Sequence, residues 1–340
     1  MRQPDTKSSD SIPHAGDGHS KRELISVIMP CYNAAAFVEE SIRCVVNQTY
    51  PSVEIIVVDD GSTDGSVAIL DRLKTEFPGQ VRLLSQHRKG PYPARNRGLR
   101  EARGSLIAFL DADDFWAPDC LEKLYAALAS NAADCAYCGW QNVGDGAPGQ
   151  EPYVPPAYED EDTIALFLKS CPWPIHAALV RREIVEAIEG FSERRFSAMD
   201  YDFWLKLIAR TRHIVRVSEV LAFYRWHGRG QISSGKWRQT MDAYTVRRDF
   251  VRKHPDLVSH LDVPALKNLV AGELLRAAYR AYWKRDLVSA QGLFREALIR
   301  GAWRLADLKY ILPALLPGPI FRAFLGMVDS QRSALAPKGE

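Results

Sequence analysis

The sequence predicts an α/β fold: a mostly parallel central sheet flanked by helices, followed by an all-helical C-terminal region. Three observations carry this. From Leu24 to Val143, short runs of residues that favour burial alternate with single helical segments, the pattern of βαβ units wound right-handed. Two of those runs end in carboxylates, Asp59-Asp60 and Asp111 to Asp114, on what would be one rim of the sheet. From about Lys236 onward the periodicity is helical throughout.

Taken in order, residues 1–22 are rich in Ser, Asp, Gly, His and Pro without periodicity and are expected to be a disordered tail. An α/β domain is then expected over 23–235 and a helical region over 236–330. Leu24 to Met29 reads as the first strand, ended by Pro30. Phe37, Val38, Ser41, Ile42, Val45 and Val46 recur at helical spacing. Val53 to Val58 reads as a second buried strand, closed by Asp59-Asp60-Gly61-Ser62-Thr63-Asp64. That cluster suits the cap of a helix running to Glu76. Val81 to Leu84 is a strand, Pro93 to Ala102 a helix, and Leu106 to Leu110 a strand. Pro118 to Ser130 is a helix and Cys135 to Val143 a strand. The Gly/Pro-rich stretch from Gly144 to Pro156 is a long loop, a place where function is often carried. Beyond it, Ile164 to Lys169 and Asp200 to Ala209 read as helices. His176 to Val180 and Val215 to Tyr224 read as strands. Ala277 to Leu298 reads as a helical hairpin with no second copy.

Composition narrows the function. The chain has 340 residues, 46% hydrophobic and 25% charged, enough for a sizeable core. A net charge of +2 gives no support to nucleic-acid binding, which calls for a marked basic excess. The six cysteines lack a framework spacing. Cys135 and Cys138 sit in an apolar run without a second Cys/His pair, which favours core thiols over a zinc site. The first two dozen residues lack an apolar signal-peptide core, and no 18-residue apolar span occurs, so a cytoplasmic protein is expected. The apolar segment 308–328 is broken by three prolines and Arg322, which suits an interfacial helix and peripheral membrane contact.

The chemistry starts with Asp111-x-Asp113. At a strand end, residues i and i+2 share a side. Two converging carboxylates suit a hard divalent cation such as Mg²⁺ or Mn²⁺, which takes oxygen ligands and keeps places for substrate phosphates. The alternative is helix-dipole chemistry, which explains Asp119 but comes too early for Asp111 and Asp113. Asp114 stays open between a supporting role behind the metal and the start of a turn. Asp59-Asp60-Gly61 offers carboxylates beside a tight turn, suited to a base or ribose; turn and cap chemistry alone explains Ser62, Thr63 and Asp64.

Together these residues resemble glycosyltransferase family 2. The resemblance rests on Ser26-Val-Ile-Met-Pro-Cys-Tyr-Asn33, Gln48-Thr-Tyr-Pro51 and Glu54-Ile-Ile-Val-Val-Asp-Asp-Gly-Ser-Thr-Asp64. It continues through Ala94-Arg-Asn-Arg-Gly98, Gly104 and Phe109-Leu-Asp-Ala-Asp-Asp114. It runs in register from about Leu24 to Ser234, and it implies the Rossmann-like GT-A fold and metal-dependent inverting sugar transfer. Pro30, Tyr32, Asn33, Asp59, Asp60, Arg95, Asp111, Ala112 and His227 are then expected to contact a nucleotide-sugar donor, a UDP-sugar by default. Asp111 and Asp113 resemble the DxD motif that holds the metal. Met199-Asp200-Tyr-Asp202-Phe-Trp204 resembles the helix start that carries the general base, which makes Asp200 the base and Asp202 its competitor. Met199 replaces the usual acidic neighbour. Arg225 and Arg229 are expected near phosphate, and Trp173 either against an acceptor sugar or in loop packing.

Processive members carry Gln-x-x-Arg-Trp; here Ala222 stands before Arg225-Trp226, which implies single-sugar transfer. The resemblance implies a glycan or lipid-linked acceptor in bacterial surface polysaccharide synthesis, at the inner face of the membrane. Two rivals remain. A nucleotidyltransferase would want a Gly-rich phosphate loop after the first strand, which Pro30-Cys-Tyr-Asn33 does not offer. An inactive sugar-binding protein would have no need of Asp60, Asp111, Asp113 and Asp200 together.

Overall fold

The computed structural model describes residues 22–193, 197–227 and 236–323. The expected N-terminal tail, Arg229 and the end of segment 308–328 lie outside them. An eight-stranded sheet runs in the order β3-β2-β1-β4-β7-β6-β8-β5. Strands β1 (Ile25–Cys31), β2 (Val53–Asp59), β3 (Val81–Ser85) and β4 (Leu106–Phe109) pair in parallel. Every residue of β1 and β2 is buried, so both read as continuous apolar runs.

Beyond β4 the sheet is mixed. The two-residue β5 (Phe115–Trp116) pairs antiparallel with β8 (Ile214–Arg225). Strand β7 (Ala178–Arg181) lies antiparallel between β4 and β6 (Cys135–Val143), and β6 runs parallel to β8. The alternating strand–helix pattern holds only as far as β6, so it gives no sign of the antiparallel insertion. β5 is too short to leave a period in the sequence.

Pro30 lies inside β1 rather than after it. Leu110 donates to the Ile28 carbonyl, so even-numbered residues of β1 face β4, whose ladder stops at Phe109. The donor that proline lacks has no strand to meet there.

Helices α1 (Val38–Val46), α2 (Ser66–Glu76), α3 (Pro91–Glu101) and α4 (Cys120–Ser130) connect the first strands. α5 (Thr163–Lys169), α6 (Arg182–Ala187) and α7 (Met199–Arg210) follow. Gly98 lets α3 press onto β1: a Cβ there would meet Ile28 Cγ2 at 2.5 Å. One turn earlier, the same face of α3 carries Arg95 beneath the rim.

The C-terminal part comprises α8 (Lys236–Lys253), α9 (Val263–Trp283), α10 (Leu287–Ile299) and α11 (Leu308–Ala314). The hairpin expected over 277–298 is the α9–α10 turn. These helices form a second apolar cluster around Leu274, Phe294 and Ile311. α8 joins the two cores, giving Val246 and Phe250 to the sheet's cluster and Tyr244 to the other. All six cysteines are free, and Cys135 and Cys138 are buried in β6.

Candidate active site

Strand ends β1, β2 and β4 open onto a cleft of about 1420 Å³ that reaches across to α7 and α8. Pro30, Tyr32, Asn33, Asp60, Arg95, Asp111, Ala112, Asp113, Asp200 and His227 all line it. The expected site residues therefore come together from six separate elements with their loops. Asp59 is the exception. Its carboxylate accepts from the backbone N–H of Gly61 (3.3 Å) and Ser62 (3.2 Å), and it does not line the cleft. Being next to Asp60 at a strand end puts it on the opposite side. Asp202 also stays off the cleft wall.

At the centre is Arg95, only 3% exposed in its side chain. Its guanidinium donates to Asp111 Oδ1 at 2.5 Å and to Asp200 Oδ1 at 3.4 Å, while Tyr92 and Phe191 pack at its faces. A buried cation keeps its charge here because two carboxylates compensate it. Asp200 leaves 33% of its side chain open to the cleft, yet protein crowds it on the other sides. Its pKa is pushed up to about 6, chiefly by burial; Arg95 pulls it back and Asp111 adds to the rise. Ala198, just before the helix, holds a left-handed backbone (φ 62°) that sets how α7, and with it Asp200, enters the cleft.

Asp113 accepts from or donates to His227 Nε2 at 2.9 Å, and Phe37 stacks on the His227 ring. Burial first, and then the charge of Asp111, raise the Asp113 carboxyl above its usual range. Among the described residues no group of three or more His, Cys, Asp or Glu side chains is arranged to hold a metal ion. The arrangement fits a cation held by one or two carboxylates plus substrate phosphates, as Mg²⁺ prefers, rather than an all-protein cage. Asp111 and Asp113 each keep part of the side chain open (28% and 32%), which leaves oxygens free for such an ion.

Asp114, the open case, turns inward and is fully buried. Its Oδ1 accepts from the Arg225 backbone N–H at 2.8 Å. Its Oδ2 lies 3.2 Å from His176 Nδ1, without the alignment of a hydrogen bond. Burial, then Asp113 and Asp111, raise the Asp114 carboxyl strongly, while burial pushes His176 down to about 4. Turned into the core and holding the Arg225 N–H, Asp114 braces β8 against the rim and does not line the cleft.

Asp60 is 3% exposed and accepts from Gln86 Nε2 (2.7 Å), Lys89 N (2.8 Å) and Gly90 N (2.7 Å). It thereby fixes the loop after β3 as a wall of the cleft, leaving about one acceptor position of the carboxylate unused. Arg88 of that loop lies over the Tyr32 ring at 3.9 Å and donates to its hydroxyl at 2.6 Å.

Residues 26–189 match the family model described as glycosyl transferase family 2. They belong to glycosyl transferase family 2. Over 255 residues the chain is 29% identical to TuaG of Bacillus subtilis, a glycosyltransferase whose name assigns it to teichuronic acid biosynthesis. That match covers 74% of this chain and 98% of TuaG. It is 31% identical over 198 residues to an Escherichia coli chondroitin synthase, covering 57% of this chain and 28% of that one. Among solved structures, residues 1–349 of S. aureus TarS in complex with UDP-GlcNAc superpose with a TM-score of 0.62 at 19% identity, covering 93% of this chain and 94% of that TarS segment. The mannosyltransferase PcManGT from Pyrobaculum calidifontis, in complex with GDP-Man and Mn²⁺, gives 0.59 at 22% identity, covering 94% of this chain and 89% of that one. The likeness to these two is one of fold, the GT-A fold.

The sequence reading of this glycosyltransferase missed three groups that shape the cleft. Gln86 and Arg88 lie in a polar loop with no pattern to mark them. His176 ends a loop whose prolines suggest packing only. Trp173, offered as a sugar platform, is 1% exposed and stacked on Tyr137, so loop packing wins.

Proposed function

We propose that this glycosyltransferase is a metal-dependent inverting enzyme that moves one sugar from a nucleoside diphosphate sugar, a UDP-sugar, to a hydroxyl of a glycan or lipid-linked acceptor. One observation carries the reading: a single buried guanidinium ties Asp111, of the aspartate pair, to Asp200, the candidate base. Inverting transfer is one displacement, so base and leaving-group machinery must be held rigidly across the reacting carbon. Arg95 does this with one side chain.

Asp200 takes the proton of the acceptor hydroxyl. A pKa near 6 leaves it ionised at neutral pH yet basic enough to accept a proton in the transition state. Pro30, Tyr32, Asn33 and Asp60 with its loop form the nucleoside end and His227 the diphosphate side, whereas the Arg225 guanidinium, expected near phosphate, pairs with Glu40 at 2.9 Å and does not line the cleft. Asp111 and Asp113 are the residues that would hold Mg²⁺ or Mn²⁺, which when bound neutralises charge building on the diphosphate. Ala222 before Arg225-Trp226 supports single-sugar transfer.

TuaG and chondroitin synthase, both named for polysaccharide products, support a role in bacterial surface polysaccharide synthesis. The complexes of TarS and PcManGT support a nucleotide-sugar donor, and the latter supports Mn²⁺. No helix of the described residues is long and apolar enough to cross a membrane. Exposed Leu305 (80%), Leu312 (55%) and Ile320 (53%), with Lys309 and Arg322 among them, support peripheral contact at the inner, cytoplasmic face of the membrane.

Thermal shift tests the donor reading. UDP-GlcNAc or GDP-Man should raise Tm by several degrees with Mn²⁺ and far less with chelator. No metal-dependent shift with any nucleoside diphosphate sugar would overturn it.

A further inference from the structure

The cleft has a second end, away from the strand rim. There α8 turns one face to it: Gln239, Thr240, Ala243 and Arg247 recur at helical spacing along the wall. Opposite stands the turn after α5, with Lys169 and Ser170 exposed on the same cleft. Tyr201, one residue from Asp200, links the two sides.

Arg247 is the unusual member. It is 4% exposed and lies on the cleft wall. Its Nε donates to the Tyr201 hydroxyl at 2.9 Å and its Nη2 to the Lys169 carbonyl at 3.3 Å. Nη1 is buried and has no hydrogen-bond partner. All its partners are neutral, whereas Arg95, equally buried, has two carboxylates. Glu273 also lines the wall, and it is engaged by Arg276 at 2.8 Å and by Arg280. A buried guanidinium without an anion is costly, and among the described residues no carboxylate pairs with Arg247.

We propose that this α8 wall is the acceptor subsite, and that Arg247 with Lys169 makes it a site for an acceptor carrying an oxyanion, either a phosphate or a carboxylate. The inference rests on the glycosyltransferase reading, which puts the donor at the strand rim and Asp200 between the two ends. It assigns the C-terminal helices a part in the reaction: α8 holds the acceptor's charged group so that its hydroxyl reaches Asp200. The guanidinium fork suits either oxyanion, and Lys169 adds a flexible point charge.

The test uses the full chain saturated with UDP and Mn²⁺, so that the rim is filled, and titrates inorganic phosphate, glucuronate and neutral glucose by calorimetry. Phosphate or glucuronate should bind saturably and glucose at least tenfold more weakly. A preference for phosphate points to a phosphate-bearing acceptor, and a preference for glucuronate to a uronate. Lys169→Glu, on an exposed side chain, should weaken the anion at least tenfold without changing Tm or UDP affinity. Arg247→Gln should do the same, with folding checked by circular dichroism. Equal binding of glucose, no anion binding, or anion binding unchanged in Lys169→Glu would overturn the proposal. Failure of UDP itself to bind would instead overturn the donor reading beneath it.

Discussion

At the strand rim, Asp60, Asp111, Asp113 and Asp200 each already have a protein partner. At the α8 end, Arg247 has a buried nitrogen with none. The contrast follows from construction. The rim is built by parallel strands whose ends converge, so its charges can be cross-braced by side chains and N–H groups of the helices and loops that follow those strands. The α8 wall comes from a helix that packs on the sheet domain from outside, and the hydrogen-bond partners of its Arg247 among the described residues are neutral groups of α5 and α7. A braced end suits a ligand whose geometry is fixed; an unbraced end leaves charge for a ligand to complete.

The largest effect should come from the group between the ends. Asp200→Asn is expected to lower kcat by about 10³-fold with donor affinity within twofold. Single-turnover rates and UDP-sugar calorimetry separate the two, and lost donor affinity would assign Asp200 to the rim instead. In the unchanged enzyme the base must be ionised, so rate should fall as pH drops through about 6 and level off above it.

Next comes the brace. Arg95→Met leaves two carboxylates without their cation and should cost about 3 kcal/mol of stability. Because Arg95 pulls the Asp200 pKa down, the same change should move the acid limb of the pH–rate profile upward. A denaturant melt and that profile check both halves.

Asp113→Asn should weaken Mn²⁺-dependent UDP-sugar binding by about 30-fold, roughly 2 kcal/mol, with little change in stability. Its neighbour should behave otherwise. Asp114→Asn keeps a near-isosteric acceptor for the Arg225 N–H, so stability should change by less than about 1 kcal/mol and metal dependence should remain. A large loss of metal affinity in Asp114→Asn would erase the distinction between rim and interior.

The candidate site was largely legible because strand ends announce themselves: an apolar run that stops in carboxylates leaves few other readings. The candidate base was nominated only through resemblance, since Asp200 and Asp202 look alike within a helix start. Asp59 and Asp114 depart from their neighbours for different reasons. Neighbouring carboxylates read as a group in sequence, but strand alternation turns Asp59 away from Asp60, and a turn closed by the Asp114 N–H on the Asp111 carbonyl (3.1 Å) turns Asp114 away from Asp113. Asp59 goes to a turn, Asp114 into the core. The antiparallel β7 and the two-residue β5 were not legible, because pairing direction depends on where the chain returns, not on local pattern.

The sequence by itself determined most of the longer elements and which residues are available for chemistry. Burial period, turn chemistry and clustered carboxylates are local properties, written in neighbouring residues. Only the tertiary structure decided who meets whom. Arg95 lies 16 positions from Asp111 and 105 from Asp200, and Arg247 lies 78 from Lys169. Contacts over such separations depend on packing, as when Gly98 lets α3 lie close on β1. That same packing divides the cleft into a compensated rim and a wall whose charge awaits its ligand.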